Sequence, residues 1–276
     1  MELSERIRRH YRRDSLEEKL LSLLLAMGKK TSELAPDDLV GLEDMHVGGR
    51  EATRSLAELL EPQADAELLD LGSGLGGPAR YFAFHHGCRV IGVDLTAELV
   101  ETAASLTRRV GLADRVRFEI ADVCALPFAD GRFDAAYSIH VGMNVADKAR
   151  FYRETARVLR PRAFFAICDV LKLSGEPDYP VPWAEDAASS FLAGPEEMQR
   201  ALEEAGFELL LARNRTRAGA EFMRRSAERL RDPQALRTAS APIVMGPRFR
   251  DKIGNLARAL EDGRLGVYEL LARRRR

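Results

Sequence analysis

Short apolar runs alternate with amphipathic stretches through the middle of the chain. The runs are nearly continuous, which is typical of strands buried on both faces. They lie at 66–72, 88–94, 115–120, 133–139 and 163–170. The stretches between them carry apolar residues at helical spacing, and they lie at 77–86, 97–110 and 147–159. This alternation predicts an α/β fold with right-handed crossovers and a doubly wound, mostly parallel sheet.

The pattern becomes less regular after the fifth run. Residues 171–194 contain several prolines, and we expect an ordered loop or lid there. A helix at 195–205, a strand at 207–213 and a closing strand at 266–273 follow. These two strands bring the predicted sheet to seven. Prolines interrupt the helical material at 219–262, which is predicted to be an insertion before the last strand.

Two helices are predicted before the first strand. The first, at 15–27, has leucines at positions 16, 20, 23 and 24 on one face. Ser15 is its expected N-cap, with Glu18 three residues later, and Gly28 is its stop signal. The second helix is expected at about 50–60.

The elements divide the chain into two expected parts. Residues 1–60 are predicted to form a helical N-terminal cap. Residues 61–276 are predicted to form the main domain, in which about 214–262 covers the bound acceptor.

Composition and charge limit the classes of partner. The chain has 276 residues, with 42 Lys and Arg against 43 Asp and Glu, so its net charge is −1. A protein that binds nucleic acid or a membrane surface usually concentrates basic charge, and we expect neither partner. The start, MELSERIRRHYRRDS, lacks the apolar region of a signal peptide, and the later run LLSLLLAMG is too short to span a bilayer.

The cysteines point to no disulfide framework and no zinc site. Cys88, Cys124 and Cys168 are widely separated and form no CxxC pair. We therefore expect a cytoplasmic protein without a bound metal.

A glycine-rich stretch, LDLGSGLGG at 69–77, follows the first predicted strand. In an open α/β sheet the first strand-to-helix turn is the usual contact for a ligand. The stretch satisfies both GxGxxG, a dinucleotide pattern, and DxGxGxG, so by itself it does not identify the ligand. Asp94 ends the second strand, 20 residues beyond Gly74, where a carboxylate accepts hydrogen bonds from ribose hydroxyls. Asp122 ends the third strand and faces the same crevice.

Four successive segments between residues 68 and 170 read LLDLGSGLGG, IGVDL, ADVCALPFADGRFDAAYSIH and ARVLRPRAFFAICDV. In this order they resemble the motifs of the class I S-adenosylmethionine-dependent methyltransferases. DMHVGGREAT at 44–53 and GRLGVYELLAR near the end are similar to the small-molecule branch that contains sarcosine/dimethylglycine N-methyltransferases and quinone C-methyltransferases. The resemblance implies a Rossmann-like methyltransferase fold. PRAF at 161–164 departs from the usual PGG and predicts an altered turn before the fifth strand.

The resemblance also implies a set of residues that bind S-adenosylmethionine. The glycines would lie under the methionine part, Asp94 with Leu95 at the ribose, and Asp122 with Val123 at the adenine. Ser138 would line the site near the sulfonium. The implied glycines are Gly72, Gly74 and Gly76.

Two histidines are the candidate catalytic residues. His46 lies in a segment that folds over the cofactor in the resembling family, and His140 ends the fourth predicted strand. Methyl transfer from a sulfonium is an in-line displacement, so positioning and exclusion of water can suffice for a neutral amine. A carbon or hydroxyl acceptor needs a base. For either histidine, a structural hydrogen-bonded role is the alternative.

Four further residues are candidates for contact with the acceptor. Met143 and Asn144 follow the same sheet edge, although Met143 also suits a core position and Asn144 also suits a helix cap. Tyr179 and Trp183 lie in the proline-rich segment, where aromatic rings can bind a cationic amine or pack within a lid. Glu185 and Asp186 would complement such a cation, or lie in solvent.

The leading hypothesis is transfer of a methyl group from S-adenosylmethionine to a small-molecule substrate. The resemblance favours an amine acceptor, with a C- or O-methylated natural product or quinone-like metabolite as the alternative. An NAD-dependent oxidoreductase and a non-catalytic adenosyl-binding protein stay open. A homo-oligomer is compatible with the sequence.

Overall fold

Seven strands form one sheet in the computed structural model, which describes residues 3–12 and 15–276. Within those residues the strand order is β3-β2-β1-β4-β5-β7-β6. The last strand runs antiparallel to both of its neighbours, and the other pairs are parallel. The strands are β1 (Glu67–Leu71), β2 (Arg89–Asp94), β3 (Val116–Ile120), β4 (Phe133–Ile139), β5 (Leu159–Lys172), β6 (Phe207–Asn214) and β7 (Leu265–Arg274).

Helices pack against both faces of the sheet and cover its carboxyl edge. Strand order reverses between β1 and β4, and ligands of open α/β sheets bind at the carboxyl edge of such a point. The helices are α1 (Leu3–Tyr11), α2 (Leu16–Ala26), α3 (Gly49–Leu60), α4 (Gly77–His86), α5 (Ala97–Arg109), α6 (Lys148–Val158), α7 (Pro195–Glu204), α8 (Thr216–Arg229), α9 (Pro233–Leu236), α10 (Ala241–Met245) and α11 (Phe249–Glu261).

The two faces of the sheet belong to two separate hydrophobic cores. Alternate residues of a strand point to opposite faces. In β1, Leu68 therefore packs in one core with Phe82 of α4. Leu69 and Leu71 pack in the other core with Phe151 of α6. This burial on both sides explains why the strands are nearly continuous apolar runs.

The predicted strands and crossover helices of the central region are confirmed within one or two residues, apart from the start of β5. That strand begins at Leu159, directly after α6, so it includes the PRAF segment. Arg162 there has φ +68, a left-handed conformation that suits glycine. The expected altered turn is thus an irregularity inside β5, where the register with β4 shifts.

The first cap helix packs as its leucine spacing predicts, and Ser15 occupies its N-cap position but does not cap it in the expected way. The four leucines of α2 are buried, in a cluster with Leu99 and Leu106 of α5. Ser15 has φ 55, and its side chain makes no capping hydrogen bond. An ordinary N-cap residue has an extended backbone, which directs its side chain to the first free amides of the helix. Ser15 is left-handed instead. The division of the chain at residue 60 stays a prediction.

The segments around the last three strands follow the proline pattern. Helical material between β6 and β7 is divided into α8 to α11, with prolines at the starts of α9 and α10. Residues 173–194 form a loop with one short 3₁₀ turn at Ala187–Ser189. No helix in the described ranges, 3–12 and 15–276, has the length and apolarity to cross a bilayer.

Candidate functional site

A cavity of about 450 Å³ lies at the carboxyl edge of the sheet. Its floor comes from the loops after β1, β2, β3 and β4, and its cover comes from α1, residues 41–47, the loop after β5 and helices α8, α10 and α11. Eleven of the residues singled out from the sequence line it: His46, Gly72, Gly74, Asp94, Leu95, Asp122, Val123, His140, Met143, Asn144 and Trp183.

Three other predicted site residues lie outside the lining of this cavity. Ser138 is buried within β4, between Leu71 of β1 and Ile167 of β5. Tyr179 packs against the hydrophobic core, and its hydroxyl donates to Glu176 Oε2 at 3.2 Å. Gly76 lies under the turn, against Phe118.

The glycines of the first turn serve different purposes. Gly72 (φ +77) and Gly76 (φ +80) are left-handed, and a Cβ on them would overlap Val141 and Phe118 respectively. Glycine is therefore needed at these two positions because a side chain would overlap neighbouring residues of the protein itself. Gly74 is left-handed at φ +52, and no heavy atom lies within 4 Å of the position of its absent Cβ. Only there, among the three, does the missing side chain leave open space beside the cavity.

Asp94 is tied to the glycine turn by its carboxylate. Its Oδ2 accepts a hydrogen bond from the Gly74 amide at 3.0 Å, and its Oδ1 accepts from the Thr96 amide at 2.9 Å. Burial raises the pKa of Asp94, and the two amides oppose that shift. Each oxygen retains a lone pair, so the carboxylate can accept two further hydrogen bonds from a ligand.

The other acidic residues on the floor are Asp122 and Asp70. Asp122 Oδ1 accepts from the Cys124 amide at 2.8 Å, which shapes the loop after β3. Asp70, which the sequence reasoning used only as part of the motif, is buried and lines the cavity. Burial raises its pKa to about 8, helped by the nearby charge of Asp94. Its position two residues before the first glycine of DxGxGxG is the sequence signal that could have identified Asp70 as a site residue.

The structure brings the two candidate histidines together. Their rings stack with centroids 6.0 Å apart. His46 Nε2 lies 2.8 Å from the Gly49 carbonyl oxygen, so this nitrogen carries a proton and donates it. Both ring nitrogens of His140 are buried without a hydrogen-bond partner in the described part of the protein. Burial lowers the pKa of His140 to about 3, assisted by His46, and burial also lowers the pKa of His46.

A buried acidic pair next to α4 was missed in the sequence. Glu43 forms an ion pair with buried Arg80 of α4. Asp44 Oδ2 accepts from Arg50 Nε at 3.0 Å, whereas its Oδ1 is buried without a partner among the described residues. Asp44 lines the cavity close to Gly77, the first residue of α4. The signal for this residue is its place in the DMHVGG segment, two positions before His46.

The loop after β4 is held in place by its neighbours. The Tyr11 hydroxyl donates to Asn144 Oδ1 at 3.3 Å, and the Phe191 amide donates to the Met143 carbonyl at 2.8 Å. Asn144 does not cap α6, because Asp147 Oδ1 accepts the amide of Arg150 and is the N-cap. The loop therefore presents Met143 and Asn144 to the cavity.

The acidic residues beside Trp183 do not line the cavity. Glu185 Oε1 lies 2.6 Å from Nζ of buried Lys252, so its charge is already paired. Asp186 Oδ1 accepts from the Ser189 hydroxyl at 3.0 Å. The hypothesis that these two carboxylates complement a cationic substrate is therefore not supported by their positions.

Comparison with known proteins finds a methyltransferase domain in the central part of the chain. Residues 69–167 match the family described as "Methyltransferase domain". The methyltransferase GfsG of Streptomyces halstedii is 36% identical over 134 residues, which are 49% of this chain and 48% of that protein. Phosphoethanolamine N-methyltransferase 1 of Zea mays is 29% identical over 188 residues, which are 68% of this chain and 37% of that protein. The chain thus spans half or less of the length of these two curated relatives.

A solved structure establishes the fold over nearly the whole chain. The cyclase SpnF superposes with a TM-score of 0.73 at 24% identity, and the match covers 99% of this chain and 97% of SpnF. The family match removes the ambiguity of the glycine pattern, because the matched region includes the turn and both strand-end carboxylates, Asp94 and Asp122. Residues 69–167 therefore form a methyltransferase domain, in agreement with the resemblance of the chain to class I S-adenosylmethionine-dependent methyltransferases.

Proposed function

We propose that this protein transfers the methyl group of S-adenosylmethionine to a small-molecule acceptor. The relationship between Gly74 and Asp94 carries the proposal. A left-handed glycine with open space on its Cβ side is hydrogen-bonded to a strand-end carboxylate, and both line one cavity. That pair suits a nucleoside whose hydroxyls meet the carboxylate and whose tail lies against the turn.

The residues around the turn suit the two charges of an amino-acid tail. The N-terminus of α4 favours a carboxylate through its free amides and its dipole. Asp44 Oδ1, buried and unpartnered in the described structure, suits an ammonium group, because a buried carboxylate oxygen without a donor is costly. Asp122 and Val123 are the residues proposed for the adenine.

When bound, S-adenosylmethionine supplies a methyl group activated by a positively charged sulfur. The protein's contribution is to position the acceptor in line with that methyl group and to exclude water. The covering helices α1, α8, α10 and α11 enclose the cavity, and His46 and His140 face the space they enclose. The curated relatives include N-, O- and C-methyltransferases, so their names alone do not select the acceptor atom.

Calorimetry with S-adenosylhomocysteine tests the proposal. We expect saturable binding to the wild-type protein, and we expect Asp94→Ala to weaken it at least tenfold, about 1.4 kcal/mol. The exposed Asp114, which is remote from the cavity lining, provides the control variant Asp114→Asn with unchanged affinity. Absence of binding to folded wild-type protein would reject the proposal. Saturable binding without transfer of a trideuteromethyl group to any metabolite in an extract would instead indicate a non-catalytic adenosyl-binding protein.

A further inference from the structure

We propose, on the basis of the methyltransferase function proposed above, that the acceptor is an uncharged, largely apolar molecule that presents a hydroxyl group to His140. The preference for an amine came from family resemblance alone. The lining of the cavity favours a different substrate class.

One part of the cover of the cavity is an apolar wall. It is formed by the lining residues that follow position 181, and we call it the acceptor wall. Apart from Ser226, Arg229 and Ser240, each of these lining residues is apolar. The Ser240 hydroxyl already donates to the Gly41 carbonyl at 3.3 Å, and Arg229 is exposed. Larger members of the wall are Trp183, Phe222, Met223, Met245, Ile253 and Leu256.

The acceptor wall offers no counter-charge to an ammonium group. Within the described residues, the carboxylates that line the cavity come from residues 41–47, from β1 and β2, and from the loops after β3 and β4, and none of them belongs to the acceptor wall. Glu185, the acidic residue next to Trp183, is paired with Lys252. A buried cation without a partner carries a large desolvation cost, whereas an apolar molecule gains free energy on such a wall.

His140 is the polar group that the acceptor has to satisfy. Both its ring nitrogens are buried and have no partner among the described residues, although such groups are normally hydrogen-bonded. The backbone of His140 is left-handed, at φ 56, which is uncommon for a residue other than glycine. The residue lines the cavity at the end of β4. Its lowered pKa keeps the imidazole neutral at physiological pH, so one nitrogen can accept a hydrogen bond from a hydroxyl.

The chemical step balances without any further reactant. The hydroxyl oxygen uses a lone pair to form a bond to the methyl carbon, while the carbon–sulfur bond breaks and its electrons stay on sulfur. The attacking oxygen becomes positively charged, and its proton then becomes strongly acidic. A weakly basic imidazole therefore suffices to take that proton and release it to solvent, leaving a methyl ether and S-adenosylhomocysteine.

Two matched probes test the substrate class on protein saturated with S-adenosylhomocysteine. 1-Naphthol carries a hydroxyl on an apolar ring system, and 1-naphthylmethylamine carries an ammonium group on the same rings at pH 7.5. We expect calorimetry to show at least tenfold tighter binding of 1-naphthol. Equal or tighter binding of the amine, or no saturable binding of either probe, would overturn the inference. Saturation with S-adenosylhomocysteine is measured first, so a failure of the proposed function is recognised separately.

Variants of Phe222 in the acceptor wall and of His140 test whether these residues cause the preference for 1-naphthol over the amine. Phe222→Asp places a carboxylate in the acceptor wall and should reverse the order of the two probes, whereas Phe222→Leu should retain it. His140→Phe should weaken 1-naphthol binding at least tenfold while S-adenosylhomocysteine affinity stays within twofold. If His140→Phe does not fold, His140→Asn, which tolerates a left-handed backbone, replaces it. Unchanged 1-naphthol affinity in a folded His140 variant would contradict the assigned contact.

Discussion

The imidazole rings of His46 and His140 lie nearly parallel, with centroids 6.0 Å apart and 22° between their planes. One ring precedes α3 and the other ends β4, so the pair exists only in the folded protein. Both rings lie in a buried part of the cavity, where desolvation disfavours a positive charge on either ring, and His46 further disfavours a charge on His140. The pair is therefore a neutral polar site at physiological pH.

Protonation of His140 is expected to destabilise the fold in acid. An unfolded histidine binds a proton below about pH 6.5, whereas native His140 stays neutral down to about pH 3. The unfolded state therefore binds more protons in that interval, and stability falls as the pH falls. We predict that the wild-type protein loses stability relative to His140→Asn between pH 6 and pH 4, by up to about 1.4 kcal/mol per pH unit.

Denaturant unfolding of both proteins at several pH values measures this difference. Using the difference between the two proteins cancels the contributions of the buried carboxyl groups that they share. A pH-independent difference would mean that His140 titrates normally in the native state.

The unpartnered oxygen of Asp44 predicts a role in holding the cofactor's tail. Asp44→Asn should weaken S-adenosylhomocysteine binding about tenfold, because a hydrogen bond to a charged group contributes about 1.5–3 kcal/mol. 5′-Methylthioadenosine has the same nucleoside but no amino-acid tail, and its affinity should stay unchanged. Calorimetry with the two ligands separates the outcomes. Equal weakening of both would indicate that the substitution only disturbs the segment around Arg50.

Alanine substitutions at two glycines of the first turn should differ in their main effect: Gly72→Ala should mainly lower stability, and Gly74→Ala should mainly lower cofactor affinity. Gly72→Ala is predicted to lower stability by at least about 2 kcal/mol, since a left-handed alanine is strained and its Cβ would overlap Val141. Gly74→Ala carries the backbone strain without an overlap, at about 1 kcal/mol. Its Cβ would occupy the open space beside the cavity, so S-adenosylhomocysteine affinity should fall at least tenfold. Thermal unfolding and calorimetry give the two readouts, and equal stability losses would contradict the prediction.

Arg162 offers a stabilising substitution. This exposed residue is left-handed in β5, which costs about 1–2 kcal/mol for a residue other than glycine. Arg162→Gly relieves that strain but adds unfolded-state entropy, so we predict a gain of about 0.5–1 kcal/mol in unfolding free energy. Arg162→Ala removes the same side chain and retains the strain, and it should show no gain. A gain in both variants would assign the effect to the arginine side chain.

The alternation of apolar runs and amphipathic stretches was enough to predict the fold. A strand that is buried on both faces consists almost entirely of apolar residues, so its limits can be read from the sequence. The observed limits of β1, β2 and β4 accordingly lie within one residue of the predicted ones. The carboxyl ends of parallel strands share one edge. The same pattern therefore brought Gly74, Asp94 and Asp122 to one cavity.

Contacts between distant segments were decided by the tertiary structure. Glu43 and Arg80 are 37 positions apart, and neither has a periodicity that indicates a buried ion pair. The acceptor wall joins Trp183 to helices separated by prolines, and Ser138 turned out to lie inside the sheet although it belongs to a site motif. Sequence periodicity shows that a side chain will be buried, because one face of its element is apolar. It does not show what that side chain meets, since this depends on how separate elements pack.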